Sequence, residues 1–543
     1  MSNIDWIVLV TSLSAIIFYG VYKSRTSKNL DGYFLSNRDM PWYLVLLSIM
    51  GTQASAITFL SAPGQAYTDG MRFVQYYFGL PLAMIVICIV FVPVFNKLKV
   101  YTAYEFLENR FDLKTRTLTS FLFQVSRGLS TGISIYAPSL ILSSLLGWNI
   151  YSTNIIMGGL LIIYTVSGGA RAVAHTQKLQ LIIVFAGMFL AGYVVVHLMP
   201  ANTGFIDALH IGGKNGKMNI ITSGRTANGF DWKDKYNIWS GIIGGFFLAL
   251  SYFGTDQSQV GRYLTAKNNR QGKMGLLMNG IVKVPMQFLI LLLGVLVFSF
   301  YQFHKAPIYF NETQIKLAKK TTWKDSLVTL ELNYTKVLPD DVSEKAKLKT
   351  DYKNILSKAL PAQEINDTNY IFLRFVLDYL PKGLIGLLIA IIFLSAWGSI
   401  AAALNALASC TVVDIHKRFF KKDHTPKMDY NLAKVYTLAW GLFSIAVAEF
   451  ASNLGNSLIE TVNILGSLFY GVILGIFLTA FWFKKIKGTA TFYACIISEI
   501  CIIIIYQADV ISFLWLNVIG ALLVILFGSI FQVFQRKRPE AVV

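Results

Sequence analysis

The chain has 543 residues, of which 55% are hydrophobic and 14% are charged. Soluble proteins carry roughly 25% charged residues, so this composition excludes an ordinary soluble protein. The formal net charge of +19 lies mainly in short segments between apolar blocks, without a basic face interleaved with aromatic residues, and we therefore expect no nucleic-acid partner.

Apolar blocks of roughly 18–28 residues recur along the chain, and about 20 residues suffice to cross the hydrocarbon core of a bilayer. We predict thirteen membrane-spanning helices at 5–23, 41–67, 73–96, 117–145, 149–167, 176–199, 237–260, 274–302, 378–415, 430–453, 456–483, 489–507 and 511–534. The prediction is an all-α polytopic membrane protein, with one transmembrane domain over 1–543 in contact with the lipid bilayer. All four cysteines lie inside these blocks, which argues against a disulfide framework or a zinc site.

The positive residues mark one side of the membrane. Lys and Arg concentrate in alternate short loops, for example 23–40 and 97–116, and in the C-terminal tail. By the positive-inside rule, the N-terminus is predicted outside and the C-terminus in the cytoplasm of a plasma (inner) membrane. Two long polar segments, about 200–236 and 303–377, then fall outside. Long loops translocate largely regardless of their charge, so the lysines in them do not oppose this orientation.

The stretch "GTQASAITFLSAPG" (51–64) places small and polar residues within a membrane block. One interpretation is a kinked helix whose small residues allow close packing. The other is an unwound segment whose carbonyl groups face an ion or a solute, because irregular backbone is tolerated in a membrane only where protein or water covers it.

Several ionisable residues lie within or near the predicted spans. Lys283 is about ten residues into its helix, roughly 15 Å deep, where snorkelling is strained and a functional role is favoured. Lys178 lies near the cytoplasmic end of its span, where snorkelling is easy. Arg127 suits a structural ion pair or a substrate contact equally well. Asp256 lies beside Arg262 and is expected to form a gating or structural salt bridge.

A second tract of small residues, "SAWGSIAAALN", spans 395–405. Ser395 and Ser399 are four residues apart and share one helical face. Their hydroxyl oxygens would suit a hard cation, although small residues also serve close helix packing.

Five stretches together resemble the sodium:solute symporter family over nearly the whole chain. They are "DGYFLSNRDMPWY" (31–43), "YTAYEFLENRF" (101–111), "TGISIYAPSLIL" (131–142), "YTVSGGARAV" (164–173) and "TDQSQVGRYLTAK" (255–267). The third is similar to the branch of iodide, monocarboxylate and vitamin carriers. The resemblance implies a leucine-transporter-type fold, with five-plus-five inverted repeats at about 41–199 and 237–483, one extra N-terminal helix and two extra C-terminal helices. Broken helices near the midplane would form the binding site.

The resemblance also implies a sodium site. The carbonyls of Gly51, Ala54 and Ser395 and the hydroxyl of Ser399 would hold the ion, and Gly398 stands where the family usually has a second hydroxyl.

A second departure from the family lies on the sixth predicted span. The chain has His175, Thr176 and Gln177, followed by Lys178, where the family usually has Trp-Thr-Asp. Either the sodium site is therefore weakened, or the positive charge of Lys178 takes the place of the ion. Gln177, Lys178 and Asp256 are assigned to coupling or gating.

The residues expected to face the solute also follow from the resemblance: Gln53, Thr58, Tyr76, Tyr252, Lys283 and Asn463. Tyr252 matches an inner gating tyrosine and Lys283 a substrate-binding lysine. Ile57, Thr58 and Ala249 replace polar groups that bind sugars in sugar carriers. Hexoses need many hydrogen bonds, so a small anion or carboxylate suits this cavity better.

We therefore expect a secondary active symporter that couples inward sodium flux to uptake of a small organic solute or anion. A sodium-independent carrier of the same fold, proton-coupled or uncoupled, is the alternative, and a transporter-like sensor is less favoured because only nine residues follow Phe534. No catalytic motif is found, so we expect neither enzymatic activity nor a cofactor beyond the coupling ion.

Overall fold

The structure, a computed structural model, describes residues 1–24, 29–337, 341–361, 365–420, 425–451 and 457–536. In chain order its α-helices are α1 (Asn3–Ser24), α2 (Leu30–Leu35), α3 (Trp42–Gln53), α4 (Ala56–Asp69), α5 (Leu80–Val86), α6 (Val92–Leu98), α7 (Glu105–Arg110), α8 (Leu113–Leu146), α9 (Ile150–His197), α10 (Phe205–Lys214), α11 (Gly245–Gly254), α12 (Gln257–Tyr263), α13 (Asn269–Phe303), α14 (Glu312–Ala318), α15 (Lys324–Lys336), α16 (Val342–Ala359), α17 (Thr368–Tyr379), α18 (Leu384–Cys410), α19 (Lys417–Phe419), α20 (Pro426–Phe450), α21 (Leu458–Trp482), α22 (Gly488–Gln507) and α23 (Phe513–Arg536).

Short segments of other geometry connect or continue these helices. They are the 3₁₀ helices Ser36–Arg38 and Gly70–Tyr77, the π-helical turns Ile87–Phe91, Ser240–Gly244 and Thr411–His416, and an antiparallel hairpin of β1 (Arg225–Thr226) and β2 (Gly229–Phe230). The predicted helical fold is confirmed, with this hairpin as a small exception in the 200–236 segment.

Nine helical segments of the described chain are long and apolar enough to cross a membrane, judged by length and composition, and four shorter apolar helices accompany them. The nine are Ala56–Leu98, Leu113–Leu146, Val173–His197, Asn269–Phe303, Leu384–Phe419, Pro426–Phe450, Leu458–Trp482, Gly488–Gln507 and Phe513–Gln535. Every predicted block overlaps one of these or one of the shorter helices, whereas the count of thirteen spans stays a prediction.

Helix α18 forms the centre of the helical core and packs against α1, α8, α9 and α20. Its N-terminus is capped by a residue of α1, because Asp5 Oδ1 accepts hydrogen bonds from the backbone N–H groups of Gly383, at 2.6 Å, and Gly386, at 3.3 Å. A Cβ at Gly386 would lie 2.1 Å from the Asp5 carbonyl oxygen, so this close approach requires glycine. The first helix thus fixes the end of the helix that carries Ser395 and Ser399.

The stretch 51–64 contains a true break in the helix. Helix α3 ends at Gln53 and α4 begins at Ala56, and Ala54 (φ −78°, ψ 74°) and Ser55 (φ −86°, ψ 172°) have non-helical backbone angles. Pro63 lies inside α4 and does not cause this break. The unwound segment is therefore confirmed over a kinked continuous helix.

A second break lies at Thr255 and Asp256, between α11 and α12, where Asp256 adopts an extended conformation (φ −76°, ψ 116°). By contrast, the tract 395–405 lies within the unbroken helix α18. Small residues here permit close packing. In the most apolar stretch of Leu384–Phe419, 94% of the residues are buried.

The predicted spans 149–167 and 176–199 form the single helix α9 in this structure. A helix of 48 residues is about 72 Å long, more than twice the thickness of the hydrocarbon core. No proline occurs in 150–197, and glycine costs a helix only about 1 kcal/mol per residue, so the local sequence does not force a break.

The polar segment 303–377 is largely helical rather than an irregular loop. Helices α14 to α16 enclose a small apolar cluster of their own, whereas the buried apolar residues of α17 belong to the main helical core. Its buried members are Ile308, Tyr309, Ala318, Leu327, Leu348, Tyr352 and Leu356. The segment therefore has enough apolar packing to hold a defined shape beside the helix ends.

Candidate functional site

Residues at or beside the two helix breaks line a cavity with about 1100 Å³ of empty space, including the part open to solvent. We call it the central cavity. Polar side chains from many separate segments line it, namely Thr52, Gln53, Ser55, Thr58, Tyr76, Tyr77, Arg127, Thr131, Ser134, Tyr252, Ser258, Lys283, Ser399, Asn463 and Tyr470. Apolar walls come from residues such as Leu248, Ala249 and Val462. All six residues expected to face a solute line this cavity, although their roles are untested by this placement.

The break between α3 and α4 frees backbone carbonyl groups. Ser55 N–H donates to the Gln53 carbonyl at 2.9 Å, and Ala54 N–H donates to the Met50 carbonyl at 2.8 Å. Within the described residues, no hydrogen bond is recorded to the carbonyls of Gly51 and Ala54. The last carbonyls of a helix lack intrahelical partners, so these two oxygens are available to a ligand.

The two serines of α18 also keep oxygen lone pairs available. Ser395 Oγ donates to the Ile391 carbonyl at 2.8 Å, and Ser399 Oγ donates to the Ala396 carbonyl at 3.0 Å. Each hydroxyl donates its hydrogen to a backbone carbonyl of its own helix, so the lone pairs of its oxygen can still accept a hydrogen bond or coordinate a cation. Of these two serines, Ser399 lines the central cavity and Ser395 does not.

Gln177 lies between the broken helix and α18. Its Nε2 donates to the Gly398 carbonyl at 3.2 Å and lies 3.4 Å from Thr52 Oγ1, while its Oε1 accepts from Ser48 Oγ at 3.0 Å. The side chain is fully buried, and a Cβ on Gly51 would lie 2.8 Å from its Cβ. Its carboxamide therefore joins the two elements that would hold a cation.

Gly398, Gln180 and Lys178 are the other residues of interest near the Gln177 bridge. A Cβ at Gly398 would lie 2.7 Å from Gln180 Oε1, so the missing side chain leaves room for a second carboxamide that the sequence had not suggested. Lys178 is half-buried and does not line the central cavity. Adjacent helical residues point about 100° apart, which is why Gln177 and Lys178 face different surroundings.

Lys283 faces the central cavity from α13 and is 1% exposed. Its Nζ lies 5.6 Å from the ring centroid of Tyr77, and within the described chain no carboxylate lies in ion-pair distance of it. One turn away, Gln53 Nε2 donates to Asn279 Oδ1 at 3.1 Å. A buried cation with an aromatic neighbour and no carboxylate partner is suited to receive an anion.

Two further contacts involve tyrosines that line the central cavity, one with another wall of the cavity and one across the second helix break. Tyr76 OH donates to Asn463 Oδ1 at 3.1 Å, and Gln259 Nε2 donates to Tyr252 OH at 2.7 Å. Thr58 Oγ1 donates to the Gln53 carbonyl at 3.3 Å, across the break. Tyr252, which was matched to an inner gating tyrosine, therefore contacts a residue beyond the second helix break, and Tyr76 contacts a residue of α21.

Asp256 forms a buried ion pair with Arg127 rather than with Arg262, which corrects the prediction from sequence proximity. Arg127 Nη2 also donates to Tyr470 OH at 2.7 Å, and Tyr470 OH lies 3.0 Å from Asp256 Oδ2. Arg262 instead donates to the Ser258 carbonyl at 3.3 Å. Asp256 interrupts its helix and caps α12, so its carboxylate turns towards α8.

Among the described residues, no group of three or more His, Cys, Asp or Glu side chains could hold a metal ion. A cation bound here would rely on neutral oxygens, which favours a hard monovalent ion over a transition metal.

Comparison with known proteins agrees with this architecture. A sequence model of the sodium:solute symporter family matches residues 33–333 and 350–498. The sodium/sialic acid symporter SiaT of Proteus mirabilis (strain HI4320) is 26% identical over 535 residues, 97% of this chain and 94% of its own length. The sodium-coupled monocarboxylate transporter 1 of Xenopus laevis is 27% identical over 481 residues, 87% of this chain and 67% of its own length.

Among solved structures, a Na⁺-coupled sialic acid symporter in a substrate-bound outward-open state shares the fold, with a TM-score of 0.79 at 24% identity over 98% of both chains. The family model covers well over half of the sequence. The chain therefore belongs to the sodium:solute symporter family.

Proposed function

We propose that the protein is a secondary active symporter that couples inward sodium flux to uptake of a small organic solute or anion by alternating access. The observation that carries this proposal is the broken helix at Ala54 and Ser55, which opens beside Lys283 in the central cavity. The broken helix offers carbonyl oxygens to a cation, and Lys283 offers positive charge to a solute.

The proposed topology has thirteen spans in one domain, with inverted repeats at about 41–199 and 237–483, one helix before them and two after them. The N-terminus lies outside the plasma membrane and the C-terminus in the cytoplasm. The overlap of every predicted block with an apolar helix supports the positions of the spans, and the layout requires in addition that α9, continuous in this structure, breaks between 167 and 176. Alternating access would then be a rocking of one repeat against the other around the central cavity.

In the proposed sodium-bound state, the carbonyls of Gly51, Ala54 and Ser395 and the hydroxyl of Ser399 hold the ion. Gly398 supplies no side-chain ligand.

The proposed solute carries a carboxylate or another small anionic group. The buried cation Lys283 supports this assignment, and so do the relatives, whose names specify sialic acid and monocarboxylates. Gln53, Thr58, Tyr76, Tyr252 and Asn463 would supply the remaining contacts and the gates.

Ser399→Ala is expected to abolish the sodium-induced rise in melting temperature. The substitution removes a hydroxyl that coordinates sodium, and an ion that binds only the folded protein stabilises it. The measurement is a thermal-shift titration of purified protein with sodium against choline. Ser409→Ala, on the same helix but outside the cavity lining, is the control and should respond like the parent. An unchanged sodium response in Ser399→Ala would place the ion elsewhere.

A sodium-independent carrier is the second candidate, and the Gln177 bridge favours it. An amide N–H that donates to the Gly398 carbonyl can hold the helices together without a cation. For this candidate we expect a parent without a sodium response and a Gln177→Asp variant that gains one, because a buried carboxylate needs a counter-charge.

Gln177→Asn is the control for this substitution, since it has the length of aspartate without the charge. If transport is coupled to sodium, sodium should raise the melting temperature of the parent protein. That outcome would exclude the sodium-independent carrier. Thermal shift in sodium and in choline measures both variants.

A further inference from the structure

A second cavity lies where the ends of α4 and α13 meet α15, α16 and the segment after α10. We call it the lysine cavity. It encloses about 1730 Å³ of empty space including its open mouth. Its lining residues with basic side chains are Lys217, His304, Lys305, Lys336, Lys345 and Lys349. The proposed topology places this cavity outside the membrane, apart from the central cavity.

The charge of the lysine cavity is of one sign. Five lysines line it, and none of the described residues that line it is Asp or Glu. Like charges held together in a partly desolvated space repel one another, so this arrangement costs free energy unless an anion offsets it. The walls also carry Tyr67, Phe298, Tyr301 and Tyr334, which could contact the apolar part of an organic anion.

Two of the lysines are held in place but lack a carboxylate partner in the described chain. Lys217 Nζ donates to the Thr68 carbonyl and lies 5.2 Å from the Phe298 ring centroid. Lys349 Nζ lies 5.8 Å from the ring centroid of Tyr334. Contacts with rings orient an ammonium group without neutralising it.

Two acids, Asp69 and Asp367, act on Lys217 and Lys349 through their charge, and each has its contacts with other residues. Asp367 pairs with Lys353 at 3.2 Å and accepts the Phe310 N–H at 2.9 Å. Asp69 accepts from the Gln65 side chain. Within the described chain, neither acid forms an ion pair with Lys217 or Lys349.

The ionisation of the two lysines agrees with this geometry. Burial lowers the pKa of Lys217 below its usual value, against the opposing effect of Asp69. Burial also lowers the pKa of Lys349; Asp367 opposes this, and the charges of Lys353, Lys345 and Lys217 lower it further. A bound anion would favour the charged forms of both groups.

We propose that the lysine cavity is a binding site for a small oxyanion, either the carboxylate of an organic acid or inorganic phosphate, distinct from the central cavity. Lys217 and Lys349 contact the anion, and the surrounding rings limit its size. The proposal stands whether or not the central cavity transports an anion.

Protection from chemical labelling tests this site on the full chain in lipid nanodiscs. A water-soluble acylating reagent modifies lysines, and mass spectrometry gives the rate at each one. Pyruvate, inorganic phosphate and chloride are compared at matched ionic strength. We expect pyruvate, phosphate or both to slow labelling of Lys217 and Lys349 several-fold. Lys214 and Lys347, which are exposed and outside the cavity lining, serve as internal controls and should be unaffected.

The same labelling in Lys283→Met separates the two cavities. Protection that persists in this variant supports an independent site, whereas protection that disappears shows an effect transmitted from the central cavity and overturns the proposal. Equal labelling in pyruvate, phosphate and chloride also overturns it. Protection by pyruvate alone supports a site for a carboxylate, and protection by phosphate alone supports a site for inorganic phosphate.

Thermal stabilisation by the protecting anion provides a second readout. The double variant Lys217→Gln/Lys349→Gln should lose this stabilisation, whereas Lys214→Gln/Lys347→Gln should keep it. Stabilisation equal to that of the parent in the first double variant contradicts the assignment of these two lysines.

Discussion

Lys283→Met is expected to weaken binding of carboxylate solutes by roughly 30-fold to several-thousand-fold, the equivalent of about 2–5 kcal/mol for a buried charge contact. Methionine is unbranched and keeps most of the length of the side chain while removing its charge, so apolar contacts in the central cavity persist. Calorimetric titration of the purified protein with pyruvate and with sialic acid, in sodium, measures the loss.

Lys273→Met is the matched control for this substitution. Lys273 lies on the same helix, α13, but does not line the central cavity, so its replacement should leave the affinity within about twofold of the parent. Carboxylate affinity that is unchanged in Lys283→Met would remove the anion assignment while leaving the fold and the helix breaks intact.

Arg127→Met is expected to lower the free energy of unfolding by about 3–5 kcal/mol, because it leaves the buried carboxylate of Asp256 without its counter-charge. Asp256 is 1% exposed and pairs with Arg127 between α8 and the break before α12. The double variant Arg127→Met/Asp256→Asn should recover part of the loss, since it leaves no unpaired charge. Denaturation of the purified protein in detergent measures all three proteins.

Lys233→Met provides the control for the ion pair. Lys233 and Asp509 form an exposed pair, 59% and 83% exposed at the side chain. Exposed pairs contribute about 0–1 kcal/mol, so this variant should unfold almost like the parent. An Arg127→Met protein with parental stability would show that the pair between Arg127 and Asp256 does not hold this break in place.

Much of the fold could be predicted because the membrane imposes strong rules on the sequence. In the described chain, each of the nine segments that could cross a membrane overlaps a predicted apolar block. The polar tract at 51–64 left a kinked helix and an unwound segment as alternatives, and the family resemblance favoured the unwound segment that the structure has. The depth of Lys283 within its helix likewise predicted a side chain that faces a cavity.

Contacts between distant segments could not be predicted in this way. Asp256 was paired by proximity with Arg262, whereas its partner Arg127 lies 129 residues away in sequence. The bridge made by Gln177 depends on how closely two glycines let helices approach, and no local pattern encodes that distance. The lysine cavity gathers residues from separate segments that look like solvated surface in the sequence.

Sodium-driven uptake into proteoliposomes tests the central claim most directly. The measurement compares uptake of a carboxylate that binds the parent protein under an inward sodium gradient and in choline, with pH and membrane voltage clamped. Coupled symport predicts accumulation above the external concentration only with the sodium gradient. Equal initial rates and equal final levels in sodium and in choline would contradict it.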